Sequence, residues 1–220
     1  MRKLFIFFAA VLFVAVVSTP DAHAWRNVRT GKSNFERAWS AFMFKRPEKA
    51  KPYFVEAADA FGQALAENPP SRTALFPSNL TMAGISSYYA GRYEQSLAAM
   101  QRATDKDDSI WEAYIYSALA QARQGDKAKT VESLKAYIRS NPSQSILSSE
   151  VQRQITDLET DSASLEKVIT PLEDALSRQF HNNVIFVGPR ADNPSELCSG
   201  PFWWRNNRKP CEHDMYYNNW

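Results

Sequence analysis

Residues 80–103 read LTMAGISSYYAGRYEQSLAAMQRA, and residues 114–137, 34 positions later, read YIYSALAQARQGDKAKTVESLKAY. Gly91 and Gly125 fall at the same place in the two stretches. Leu80, Ala83, Gly84, Tyr88, Leu97, Met100 and Ala103 in the first, which also carries Tyr93, are answered by Tyr114, Ser117, Ala118, Ala122, Val131, Leu134 and Tyr137 in the second. Apolar residues recur three and four positions apart on both sides of each glycine, the spacing of an amphipathic helix. The glycine stands where one helix must turn sharply into the next, a place that calls for left-handed backbone. Small residues stand where the two helices must approach closely. No proline interrupts residues 78–141. Self-similarity at a fixed period of this size marks a stack of helix pairs.

A third, degenerate copy lies upstream. Ala57, Phe61, Ala64 and Pro69 keep the spacing of a second helix, and Asn68-Pro69 repeats the punctuation of Asn141-Pro142. Ser71 to Pro77 reads as a loop in excess of the period. Ser33-Asn34-Phe35-Glu36 has the form of a capping box, which places a helix over about Ser33 to Lys45 with Arg46 to Lys49 as its turn. Pro47 falls where that helix should continue.

On these residues the chain resembles the tetratricopeptide-repeat family over roughly Asn34 to Ser143. The resemblance implies an all-α solenoid of about three repeats, a binding surface and no chemistry of its own. It also implies a groove lined by the first helix of each repeat. By position the lining is Trp39, Phe42, Arg46 and Lys49, then Ser78, Thr81, Ile85, Tyr88 and Tyr89, then Glu112, Ile115, Leu119, Ala122 and Arg123. An aromatic and basic groove suits an acidic or C-terminal carboxylate segment of a partner protein. The same positions also suit inter-repeat core for Trp39, Phe42 and Tyr88.

Beyond Pro142 the repeat stops, but helix continues. Val151, Ile155, Leu158, Ser162, Leu165, Ile169, Leu172 and Leu176 form a seam at spacings of four and three. Such a seam fits either helices capping the solenoid or a coiled-coil dimer. Thr170-Pro171-Leu172-Glu173 reads as a helix start. Composition changes after Phe180: the last 40 residues carry both cysteines, a strand-like run from Val184 to Val187, and the aromatics Phe202, Trp203, Trp204, Tyr216, Tyr217 and Trp220. The Trp203-Trp204 pair fits packing back on the solenoid or an exposed platform for sugar rings, beside Asn206 and Asn207.

The first 24 residues have the three-part form of a secretory signal: Met1-Arg2-Lys3, an apolar run from Leu4 to Val17, and a small-x-small end at Ala22-His23-Ala24. The run is short of the roughly 20 residues that span a bilayer, although an uncleaved anchor is the other reading. Cleavage would start the mature chain at Trp25 and send it to a periplasm or the exterior. There Cys198 and Cys211 favour a disulfide, closing a loop of about 14 residues worth about 3 kcal/mol. Zinc held by these cysteines with His181 and His213 would need a spacing that fits no common pattern.

The whole chain carries a formal charge of +2 over 220 residues, which gives no sign of nucleic-acid binding. That figure conceals an asymmetry. From Trp25 to Pro52, eight basic residues (Arg26, Arg29, Lys32, Arg37, Lys45, Arg46, Lys49, Lys51) face only Glu36 and Glu48, a net +6. An acidic partner, an anionic membrane or a cell wall could read that end. No P-loop, dinucleotide fingerprint or nucleophile elbow is present, so the chain reads as a non-enzyme without metal or cofactor. The expected order is a signal peptide (1–24), repeats (25–143), capping helices (144–180) and an irregular, disulfide-closed aromatic tail (181–220). The expected function is an exported adaptor for an envelope or secreted protein. The alternative is a glycan- or peptidoglycan-binding protein that uses Trp203 and Trp204.

Overall fold

The computed structural model describes residues 20–185 and 202–205. Among them are eight α-helices and no strand: α1 (Pro20–Met43), α2 (Pro47–Ala66), α3 (Pro77–Tyr89), α4 (Tyr93–Thr104), α5 (Trp111–Arg123), α6 (Lys127–Arg139), α7 (Ser145–Glu159) and α8 (Leu165–Ile185), followed by a 3-10 turn over Trp203–Arg205. They pair as α1/α2, α3/α4, α5/α6 and α7/α8. Among the described residues no helix is long and apolar enough to cross a membrane. The apolar run 4–17 and both cysteines lie outside the described residues, as does the expected disulfide.

One turn closes all four pairs. In the first, Lys45 is left-handed at φ 54° and the Arg46 N–H donates to Ala41 O at 3.0 Å. Gly91 at φ 76° and Gly125 at φ 82° do the same, with Arg92 N–H on Ser87 O and Asp126 N–H on Gln121 O. Asp161 at φ 55° closes the last pair, with Ser162 N–H on Asp157 O. These six-to-one bonds satisfy carbonyls that a helix end leaves free.

The turn corrects two readings of the sequence. Pro47 does not interrupt a helix: it is the first residue of α2, two after Lys45, as Tyr93 follows Gly91 and Lys127 follows Gly125. Proline suits that position because its missing N–H would have had no partner. The repeat also continues past Pro142, since α3, α5 and α7 begin at Pro77, Trp111 and Ser145, each 34 residues after the last. Only the link from α7 to α8 is longer.

Three local signals are overridden. The capping box at Ser33 is not a helix start, because α1 runs through it from Pro20, past the expected cleavage point at Ala24. Thr170-Pro171 is likewise internal to α8. Val184 and Ile185 are helical rather than extended. In the first two cases the apolar face extends beyond the local signal and is held by packing, with Val28, Val168 and Ile169 buried, which outweighs a cap.

The core follows the apolar stripes. Val28, Phe35 and Trp39 of α1 bury against Phe54, Ala57, Phe61 and Ala64 of α2. Helices come close where side chains are small. A Cβ on Gly31 would meet the Phe61 ring at 3.0 Å, and one on Gly84 would meet Met100 at 2.6 Å. The seam residues Val151, Leu158, Ile169, Leu172 and Leu176 are all buried within the chain.

α8 does more than cover the end of the stack. It meets the first helix of each preceding pair: α1 through Trp39 and Phe180 (4.7 Å between rings), α3 through Tyr88 and Glu173, and α5 through Trp111 and Phe180 (5.7 Å). It therefore lies across the face that α1, α3 and α5 share. Buried amides lock it in place. Gln179 Oε1 accepts the N–H groups of Ile146 and Leu147 at the start of α7. Asn183 bridges Gln179 and Gln144. This supplies the cap that Gln144 itself does not provide.

Candidate functional site

With α8 on the shared face, a cleft of about 1240 Å³ lies open between the α1–α2 turn and α7–α8. Its aromatic floor is Phe42, Phe54 and Tyr89. Phe54 stacks on Tyr89 at 4.6 Å and Phe42 tilts against it at 5.5 Å. Lys45, Lys51, Arg153, Arg178 and His181 line the cleft with Glu48, Glu150, Glu173 and Asp174.

Much of that charge is already engaged. Glu150 holds Arg153 at 2.6 Å, and Glu173 accepts from Arg123 at 3.1 Å and from the Tyr88 hydroxyl. His181 Nε2 lies 2.7 Å from Met43 O, tying α8 to the last carbonyl of α1. Among the described residues, Lys45, Lys51 and Arg178 make no ion pair, nor do Glu48 and Asp174. The free charge therefore leans positive, on an aromatic floor.

Behind the floor is a tyrosine cluster. Tyr88, Tyr89 and Tyr116 pack edge to face within 6.0 Å of one another. Burial raises the pKa of all three phenols, and the Glu173 carboxylate raises those of Tyr88 and Tyr89 further. They serve as packed hydrogen-bonding groups near neutral pH, not as bases.

The expected site residues divide. Phe42 and Tyr89 line the cleft together. Arg46 and Lys49 are exposed beside it, and Arg123 is exposed on Glu173. Trp39, Thr81, Ile85, Tyr88 and Ile115 are buried, between 0% and 4% exposed, among neighbouring helices. Lys45, Lys51 and Arg178 were not singled out in the sequence. The first two sit within the basic stretch that was visible there, whereas Arg178 belongs to α8, whose course the sequence does not show.

A second arrangement involves the tail. Trp204 is fully buried, while Trp203 is 36% exposed, so the pair presents one partly open ring. The Trp204 indole N–H donates to Glu112 Oε1 at 3.2 Å. Arg205 donates to the same carboxylate through Nε (2.6 Å to Oε1) and Nη2 (2.5 Å to Oε2). Both Glu112 and Arg205 are buried. Arg205 was not singled out in the sequence, and its signal was an arginine directly after two tryptophans.

No curated protein and no solved structure matches the chain. Residues 81–145, from within α3 to the start of α7, match the family model described as Tetratricopeptide repeat.

Proposed function

We propose that this chain is an adaptor that captures a segment of another protein in the cleft between the α1–α2 turn and α7–α8. Repeats of this family generally mediate protein–protein contacts. The observation that carries the reading is the cleft itself. It is open and aromatic-floored, and its unpaired cations Lys45, Lys51 and Arg178 outnumber the unpaired Glu48 and Asp174. Such a site suits an extended acidic segment whose carboxylates meet the lysines while apolar side chains reach Phe42 and Tyr89. The exposed Arg46 and Lys49 extend the same positive surface. The form of residues 1–24 supports export, so the partner we propose is an envelope or secreted protein.

The test is affinity capture from the native envelope with the full chain as bait, followed by titration of the purified partner. Lys45→Glu with Lys51→Glu should weaken binding at least tenfold with unchanged circular dichroism. Unchanged affinity in that variant would exclude the cleft.

A further inference from the structure

We infer that the Glu112 pocket is a recognition site for an aromatic–arginine segment, and that Phe202–Arg205 is its tethered resident ligand. The site lies on the first helices of the repeats and does not depend on the cleft. Glu112 is in the first turn of α5 and fully buried, with both carboxylate oxygens facing the tail. A carboxylate in that setting needs a cation with matched geometry, and the guanidinium fork supplies two parallel bonds where an ammonium would supply one. The pocket is also built for flat groups. The Arg205 guanidinium lies 5.8 Å from the Trp111 ring, and Trp204 meets the Phe35 ring edge-on at 5.5 Å.

The occupant packs into the core, where Trp204 is fully buried, yet it comes from a distant part of the sequence. It is a single short turn, more than 90 residues from Glu112 in sequence, and the segment 186–201 joins it to α8. Its contacts are the kind that recur at protein–protein hot spots: one buried tryptophan, one bidentate arginine and a partly exposed second tryptophan at the rim. Because it belongs to the same chain, its binding to Glu112 is intramolecular and is not lost on dilution. A partner carrying an aromatic–arginine segment must therefore outcompete the tail, which keeps the site closed to weak or sparse ligands.

The experiment uses the full chain and a fluorescein-labelled peptide of residues 200–207, followed by fluorescence anisotropy. The wild-type chain should bind the peptide weakly, because the tail competes. Trp204→Ala with Arg205→Ala should empty the pocket and bind at least tenfold more tightly. Adding Glu112→Gln should remove that gain. Equal binding by all three proteins, or tight binding that survives Glu112→Gln, overturns the proposal. So does loss of helical circular dichroism in the Trp204→Ala, Arg205→Ala chain, because the segment would then be required by the fold and not a ligand.

Discussion

Four residues hold left-handed backbone at the same place in the four helix pairs, yet only two of them are glycine. The difference is measurable. A Cβ added at Gly91 or Gly125 would meet nothing within 4 Å, so the cost of alanine there is backbone strain alone. Gly125→Ala should lower stability by about 1–2 kcal/mol in denaturant titration, with the m-value unchanged. Gly84 is the opposite case. It sits within α3, and a larger side chain must displace the fully buried Met100. Gly84→Val should cost about 1–3 kcal/mol through overpacking, read as a lower thermal midpoint. Two glycines of one sequence thus constrain the fold for unlike reasons, one by torsion and one by volume.

Among the elements, α3 and α5 are joined by their tyrosines, and this contact carries a pH dependence. The phenols of Tyr88, Tyr89 and Tyr116 have pKa values raised above 10.0 by burial, so the unfolded chain loses these protons at a lower pH than the folded one. Their contribution to stability is therefore complete below about pH 10 and falls as pH rises above it. The chain should unfold cooperatively in that alkaline range. Tyrosinate absorbance from the cluster should appear together with the loss of helical circular dichroism. Tyrosinate absorbance from all three that precedes unfolding would contradict their burial.

At the scale of the molecule, α8 decides what kind of surface the repeats present. Helix pairs of this type are stabilised mainly by their neighbours in the stack, but α8 returns across the first helices and joins α1 to α5. Phe180, enclosed by Trp39 and Trp111, is its central contact. Phe180→Ala should cost about 3–5 kcal/mol. It should also raise amide exchange along α8 and in the first turn of α7, where Gln179 holds the N–H groups. Charge acts at this scale too. The net +6 of residues 25–52 includes Lys45 and Lys51 of the proposed cleft, so partner binding should weaken as salt rises toward 1 M, where screening acts within about 3 Å.

The sequence by itself determined the helical class, the 34-residue period and two of the four turns. Those properties are local: helical spacing shows in a single strand of text, and glycine is the residue that left-handed backbone favours most. Lys45 and Asp161 adopt the same conformation without glycine, so the first and last turns carry no compositional mark. The candidate residues Phe42 and Tyr89 were legible as aromatics on first helices, but their separation from the buried Ile85 and Ile115 was not. That division depends on how the helices pack against one another in three dimensions. Only the tertiary structure places α8 across α1, α3 and α5, and only it pairs Glu112 with an arginine more than 90 residues away. Contacts of such range arise from complementary shape and charge between distant segments, and no spacing along the chain encodes them.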